Sequence, residues 1–134
     1  MISLPPLSAQ HSRHYWQRPV SGALSPVIAD LARRHSGLLV VVCRDTHAAH
    51  ALETELPTFA EAEVLHFPDW ETLPYDLFSP HPEIVSQRVA TLYRLPQTQR
   101  GILVVPVTTL MQQLPPTRFI AGNALVVQTG GRLD

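Results

Sequence analysis

Short unbroken apolar runs alternate along this chain with segments whose apolar residues recur every three or four positions. The run Leu38-Leu39-Val40-Val41-Val42-Cys43 is continuous and rich in β-branched residues, the pattern of a strand buried on both faces. Residues 64–67, 102–105 and 124–127 repeat that pattern in shorter form, the third run being introduced by Gly101. Between them lie helical periods. Val27, Ile28, Leu31 and Ala32 predict a first helix with Ser25 as N-cap and Pro26 at its first position, where a missing N–H is harmless. Arg33, Arg34 and His35 suit its last turn and Gly37 its close. Thr46 is expected to cap a second helix running towards Leu56 and Pro57, with Ala48, Ala51, Leu52 and Leu56 inward. A third is expected from Glu83 to Leu95, stopping before Pro96, with Val85, Val89, Leu92 and Tyr93 as its apolar stripe. Thr108 or Thr109 caps a short fourth that ends at Leu114, ahead of Pro115-Pro116.

Helices alternating with buried-type strands predict an α/β fold: a short parallel sheet with helices on both faces, joined by right-handed crossovers. Residues 1–20, broken by Pro5, Pro6 and Pro19, read as a lead-in, and residues 21–128 as the domain. Residues 129–134, containing Gly130-Gly131-Arg132-Leu133-Asp134, read as a linker into a further domain of a longer protein.

Composition narrows the class. With 45% apolar and 16% charged residues, 134 residues can bury one core and are not a disordered chain. No apolar run reaches the length of a membrane span, and Met1–Ser8 lacks the charged and apolar regions of a secretory signal. Cys43, alone of its kind, cannot form an internal disulfide, which fits a cytoplasmic protein. Inside an apolar run it reads as a buried strand residue rather than a nucleophile.

The formal charge of −1 hides a division. Residues 45–83 hold nine acids and no Lys or Arg, whereas five Arg precede and five follow them. All ten basic residues are Arg; the chain has no lysine. The acidic middle would repel a phosphate backbone. It is expected to form a solvated face in preference to a docking surface for a basic partner. A patch from Arg13, Arg18, Arg33 and Arg34 is the one arrangement that would favour DNA.

A sheet of this kind commonly binds nucleotides, so a phosphate cradle is sought before the first helix. There only Ser21, Gly22 and Ser25 fit, and the lysine that reaches the β- and γ-phosphates is absent. Arg is a poor substitute in so tight a loop. A G-x-G-x-x-G fingerprint and a G-x-S-x-G elbow are both missing. His47 and His50, like His11 and His14, stand three apart and could supply two metal ligands, but a site needs three or four. The carboxylate pairs Glu53/Glu55 and Glu61/Glu63 do not face one another on a helix. No catalytic residue, metal ligand or cofactor is therefore expected for this chain. The most distinctive stretch is the loop 68–82, with Trp70, Tyr75 and Phe78 among acids and prolines; packing onto the domain is favoured over holding a partner. A stand-alone α/β enzyme with an unorthodox nucleotide pocket at the strand ends remains the alternative.

The segment Phe67-Pro68-Asp69-Trp70-Glu71-Thr72-Leu73-Pro74-Tyr75-Asp76, followed by Phe78-Ser79-Pro80-His81 and Ile84-Val85-Ser86-Gln87-Arg88, resembles the N-terminal region of the bacterial transcription-repair coupling factors. Thr91-Leu92-Tyr93-Arg94-Leu95-Pro96 and the stretch from Gly101 to Met111 continue it. The resemblance covers roughly residues 20–134 and is close over 66–111. It implies a degenerate helicase-like (RecA/UvrB-like) P-loop domain, the first part of a module similar to UvrB. The whole proteins of that family translocate on double-stranded DNA using ATP and magnesium, displace stalled RNA polymerase and recruit nucleotide excision repair through UvrA. This fragment is then expected to be non-catalytic, to scaffold the UvrA-binding region and to contact the rest of its parent. UvrB also carries a long aromatic hairpin that probes damaged DNA; residues 68–82 are too few for it, so damage probing is not expected.

Overall fold

The computed structural model describes residues 22–72 and 75–124, together with Arg13 and Tyr15. Three parallel strands, β1 (Leu38–Cys43), β2 (Val64–His66) and β3 (Gly101–Pro106), form one sheet in the order β1-β3-β2. Leu38 to Cys43 pair in step with Gly101 to Pro106, and Val64 to His66 with Ile102 to Val104. β3 lies between the other two, which explains why all six of its residues are buried and why its run is purely apolar.

Two layers cover the sheet. Helices α1 (Leu24–Arg34) and α2 (Thr46–Phe59) pack on one face, where Ile28, Ala32, Leu52 and Leu56 meet Cys43, Ile102 and Val104. On the other face, α3 (Pro82–Arg94) and the 3₁₀ turn Leu95–Gln97 bring Leu92 and Leu95 against Leu65, Phe67, Leu103 and Val105. The period of two is visible in β3, whose alternate residues enter opposite clusters. Two short helices follow, α4 (Val107–Leu110) and α5 (Thr117–Asn123). The predicted parallel α/β architecture with helices on both faces is the one observed.

Several local expectations are corrected. Ser25 is not a cap: α1 begins one residue earlier, its N-cap is Ala23, and Ser25 is fully buried within the first turn. Pro26 is still tolerated because first-turn N–H groups have no helical partner. The close is His35 in extended backbone rather than Gly37. In α2 the cap is Asp45, whose carboxylate accepts from Ala48 N at 2.7 Å, and Thr46 is the first helical residue. Pro57 does not stop α2, which runs to Phe59: a proline near the end removes one hydrogen bond without preventing another turn. Ala49 takes the buried position, while Ala51 is exposed.

The third helix departs most, since its buried residues are Arg88 and Thr91 and Val85 is exposed. α4 ends at Leu110 with Pro106 as an N-cap lacking a side-chain bond, so neither Thr108 nor Thr109 caps it. α5 was not expected from the sequence. The lead-in 1–20, apart from Arg13 and Tyr15, the expected fourth strand beyond Ala124, and the linker 129–134 lie outside the described residues.

Candidate functional site

The residues that could cradle a phosphate are Ser21, Gly22 and Ser25, ahead of and within the first turn of α1. Ser21 lies outside the described residues. Gly22 has the left-handed backbone (φ 86°) that glycine adopts freely. Ser25 is turned inward: its hydroxyl donates to Glu55 Oε2 at 2.6 Å, tying α1 to α2. That hydroxyl is committed to packing rather than to a magnesium ion. With no lysine in the chain, these residues do not fit a nucleoside triphosphate. A second nucleotide location would be the carboxyl ends of the strands. A cavity of about 290 Å³ lies at the opposite ends, lined by Ala29, Arg33, Phe59, Glu61, Ala62 and Arg100 beside the starts of β2 and β3.

The carboxyl ends of β2 and β3 carry a different construction. As β2 ends, the chain turns through Phe67-Pro68-Asp69-Trp70, and α3 delivers Arg88 beneath it. Arg88 is 2% exposed. Its Cζ stands 4.4 Å from the Phe67 ring centroid and 4.0 Å from that of Trp70, and one terminal nitrogen donates to the Pro68 carbonyl. A flat, weakly hydrated guanidinium stacks on rings in a way that an ammonium does not. Burial lowers the Arg88 pKa, and the charge of Asp69 opposes that in part. One turn later, the Thr91 hydroxyl donates to the His66 carbonyl at 2.5 Å. His66 Nδ1 contacts the Glu53 carboxylate of α2.

Asp69 is the second anchor. It accepts from Thr108 Oγ1 at 2.5 Å, from Gln112 Nε2 at 2.6 Å and from its neighbour's backbone, Trp70 N, at 2.7 Å. Burial alone would raise its pKa, but the bonds from Thr108, Gln112 and Trp70 N, with the charge of Arg88, outweigh it and hold the carboxyl below its ordinary value. The loop stem is thus fixed to α3 by Arg88 and to α4 and the turn after it by Asp69. Sequence reasoning named Trp70 but missed Arg88 and Asp69.

Beyond the stem the loop rises into solvent. Glu71 and Tyr75 hold left-handed backbone (φ 56° and 78°) although neither is glycine. Tyr75, Leu77 and Phe78 are 102%, 98% and 82% exposed. The two readings of this loop therefore divide along its length: the stem packs on the domain and the tip does not. Cys43 is buried at the end of β1, as expected of a strand residue, and its thiol pKa is raised by burial and by the charges of Glu53 and Asp45.

The remaining candidates are dispersed. His47 and His50 are exposed on α2, and among the described residues no three metal-binding side chains gather. Arg33 and Arg34 both pair with Asp30, and Arg18 lies outside the described residues. The acids of 45–83 do not form one face: Glu53 meets His66, Glu55 meets Ser25, and Glu63 meets Arg94. Among the described residues no helix is long and apolar enough to cross a membrane.

Comparison with known proteins gives one consistent answer. The sequence matches no protein-family model. It is 48% identical over 112 residues to the transcription-repair-coupling factor of Escherichia coli (strain K12), covering 84% of this chain and 10% of that protein. Its namesake from Haemophilus influenzae is 42% identical over 112 residues, with the same coverage. That of Staphylococcus aureus (strain USA300) is 26% identical over 109 residues, 81% of this chain and 9% of the relative. The chain spans about a tenth of the length of the curated relatives it matches. Over most of its length, this chain is a homologue of one segment of the transcription-repair coupling factors.

Proposed function

We propose that this chain is a non-catalytic N-terminal module of a transcription-repair coupling factor, scaffolding the UvrA-binding region and packing against the rest of its parent. The parent, in this reading, is a cytoplasmic ATP-dependent translocase on double-stranded DNA. It displaces stalled RNA polymerase and recruits excision repair, with ATP and magnesium bound in a motor outside this chain. The similarity to relatives of that name supports the assignment. The observation that carries the non-catalytic part is the use of Ser25. At the start of α1, where a helicase-like domain would cradle phosphates, the hydroxyl is buried on Glu55 and no lysine exists to reach a phosphate. The domain is then a degenerate UvrB-like one, its first helix serving as packing.

Titration with magnesium-ATP by calorimetry tests the module directly. No heat of binding is expected up to roughly millimolar nucleotide, well above the affinity that a competent site reaches. Micromolar binding would overturn the reading and favour a stand-alone nucleotide-binding enzyme. Reading the gene past the codon for Asp134 tests the parent: continuation into a segment with an intact Gly-Lys-Ser/Thr phosphate loop is expected, and a stop codon there would remove the proposal.

A further inference from the structure

We infer that the loop tip Tyr75-Leu77-Phe78 is an internal docking surface, seated in the parent polypeptide against a partner surface that is apolar at its centre and carries Arg or Lys at its rim. The inference rests on the reading of this chain as part of a longer coupling factor and adds which surface makes the contact. Single exposed apolar residues need no explanation, but contiguous ones mark an interaction site. Here three large apolar side chains within four positions are each more than four-fifths exposed.

Their support is not that of a slack loop. Arg88 under the Phe67 and Trp70 rings, and Asp69 with three donors, fix the stem. The backbone beyond it passes through two left-handed non-glycine residues, Glu71 and Tyr75. The fixed stem limits how far the tip can travel, which reduces the freedom lost on docking.

Charge selects the occupant. Around the tip stand Glu71 and Glu83, both exposed, and residues 45–83 contain no Lys or Arg. Asp69 is already satisfied within the domain, whereas Glu71 is exposed. Nucleic acid and anionic lipid would be repelled. A basic, apolar protein surface is complementary. The relatives are about ten times as long as the matched segment, so the rest of the parent offers that surface within one molecule, at high effective concentration.

The experiment places cysteine at the tip, Leu77→Cys or Phe78→Cys, in the 134-residue chain and in the full-length protein. Maleimide labelling at that site is read by peptide mass spectrometry, relative to the same site in urea-unfolded protein. In the short chain the rate should match the unfolded rate. In the full-length protein it should be at least about tenfold slower, because labelling then requires local opening. Glu71→Arg in the full-length protein should restore labelling by roughly threefold, the effect of losing one exposed charge pair, and Glu71→Gln by less. Equal rates in the two proteins would overturn the docking while leaving the family reading intact, since nucleotide titration and gene continuation test that separately. Slow labelling in the short chain would mean that the tip folds on its own domain or self-associates, which also overturns it. Protection indifferent to Glu71→Arg would overturn the basic chemistry of the occupant.

Discussion

Arg88 occupies a position where a helix of this size ordinarily places an aliphatic side chain. A buried cation is weak evidence for stability, since its desolvation offsets much of what it gains, and here Nε is buried without a hydrogen-bond partner. What the guanidinium does supply is direction: it stacks on Phe67 and Trp70 while tying down the Pro68 carbonyl. Arg88→Ala should therefore lower stability by about 3 kcal/mol, through lost packing and stacking together. Arg88→Lys should fall closer to Ala than to wild type, because the ammonium keeps the charge and loses the flat fork. Urea unfolding of the three proteins measures this; a lysine variant as stable as wild type would mean that charge alone matters.

Asp69 makes a prediction in pH. Its folded pKa lies below the ordinary carboxylate value, so the ionised form is favoured by folding. The stability it contributes is fully present above about pH 4, the unfolded value, and is lost as pH falls through the lower folded pKa. Asp69→Asn should cost about 2 kcal/mol at neutral pH, as hydrogen bonds to a charged acceptor are replaced by neutral ones. It should also lose less stability than wild type between neutral pH and pH 3. Parallel pH–stability curves for the two proteins would refute the role given to this carboxylate. Neither residue was legible as an anchor in the sequence. Arg88 reads as the polar face of a helix, because its burial depends on rings about twenty residues away that only the tertiary fold stacks against it.

The elements themselves were far more legible than their inward faces. The apolar runs located β1, β2 and β3, but only the central β3 is buried on both sides; β1, read as buried on both faces, is an edge strand with one face half exposed, and β2 ends in His66. The helices were found by period, but the phase slipped wherever small or polar residues were buried. Ala49 rather than Ala51 faces the core of α2, and Ser25 is interior because Glu55 is there to receive its hydroxyl. The third anchor of the elements is Gly101, read from sequence only as a strand opener. A Cβ there would stand 3.0 Å from the backbone oxygen of Glu63, the same oxygen that accepts from Ile102 N at 2.8 Å. That oxygen is part of the main chain entering β2 and cannot swing aside. Gly101→Ala should cost about 1–2 kcal/mol by forcing β2 and β3 apart at their starts. It should also speed amide exchange at Ile102. Wild-type exchange at that amide would mean that β2 yields without cost.

At the scale of the whole molecule the question is whether the two layers fold as one. They share no cluster: α1 and α2 pack on Ile102 and Val104, α3 on Leu103 and Val105. What joins them is β3, whose residues alternate between the two. β1 is an edge strand, and on the α3 side its Val40 and Val42 remain 48% and 50% exposed, so the second layer covers mainly β2 and β3. If β3 couples the layers, a single cooperative transition follows, as is usual for a domain of this size. The chain carries a reporter in each. Cys43, its one thiol, is buried against the α1–α2 layer, and Trp70 packs on Arg88 of the α3 layer. In a Trp16→Phe background, urea midpoints from Cys43 labelling and from Trp70 fluorescence should coincide, and Val104→Ala should lower both together, by about 2 kcal/mol. If the tryptophan signal is lost first and is indifferent to Val104→Ala, the α3 layer with its loop is a separate unit resting on the sheet. The shared strand would then not be what holds the tip in place.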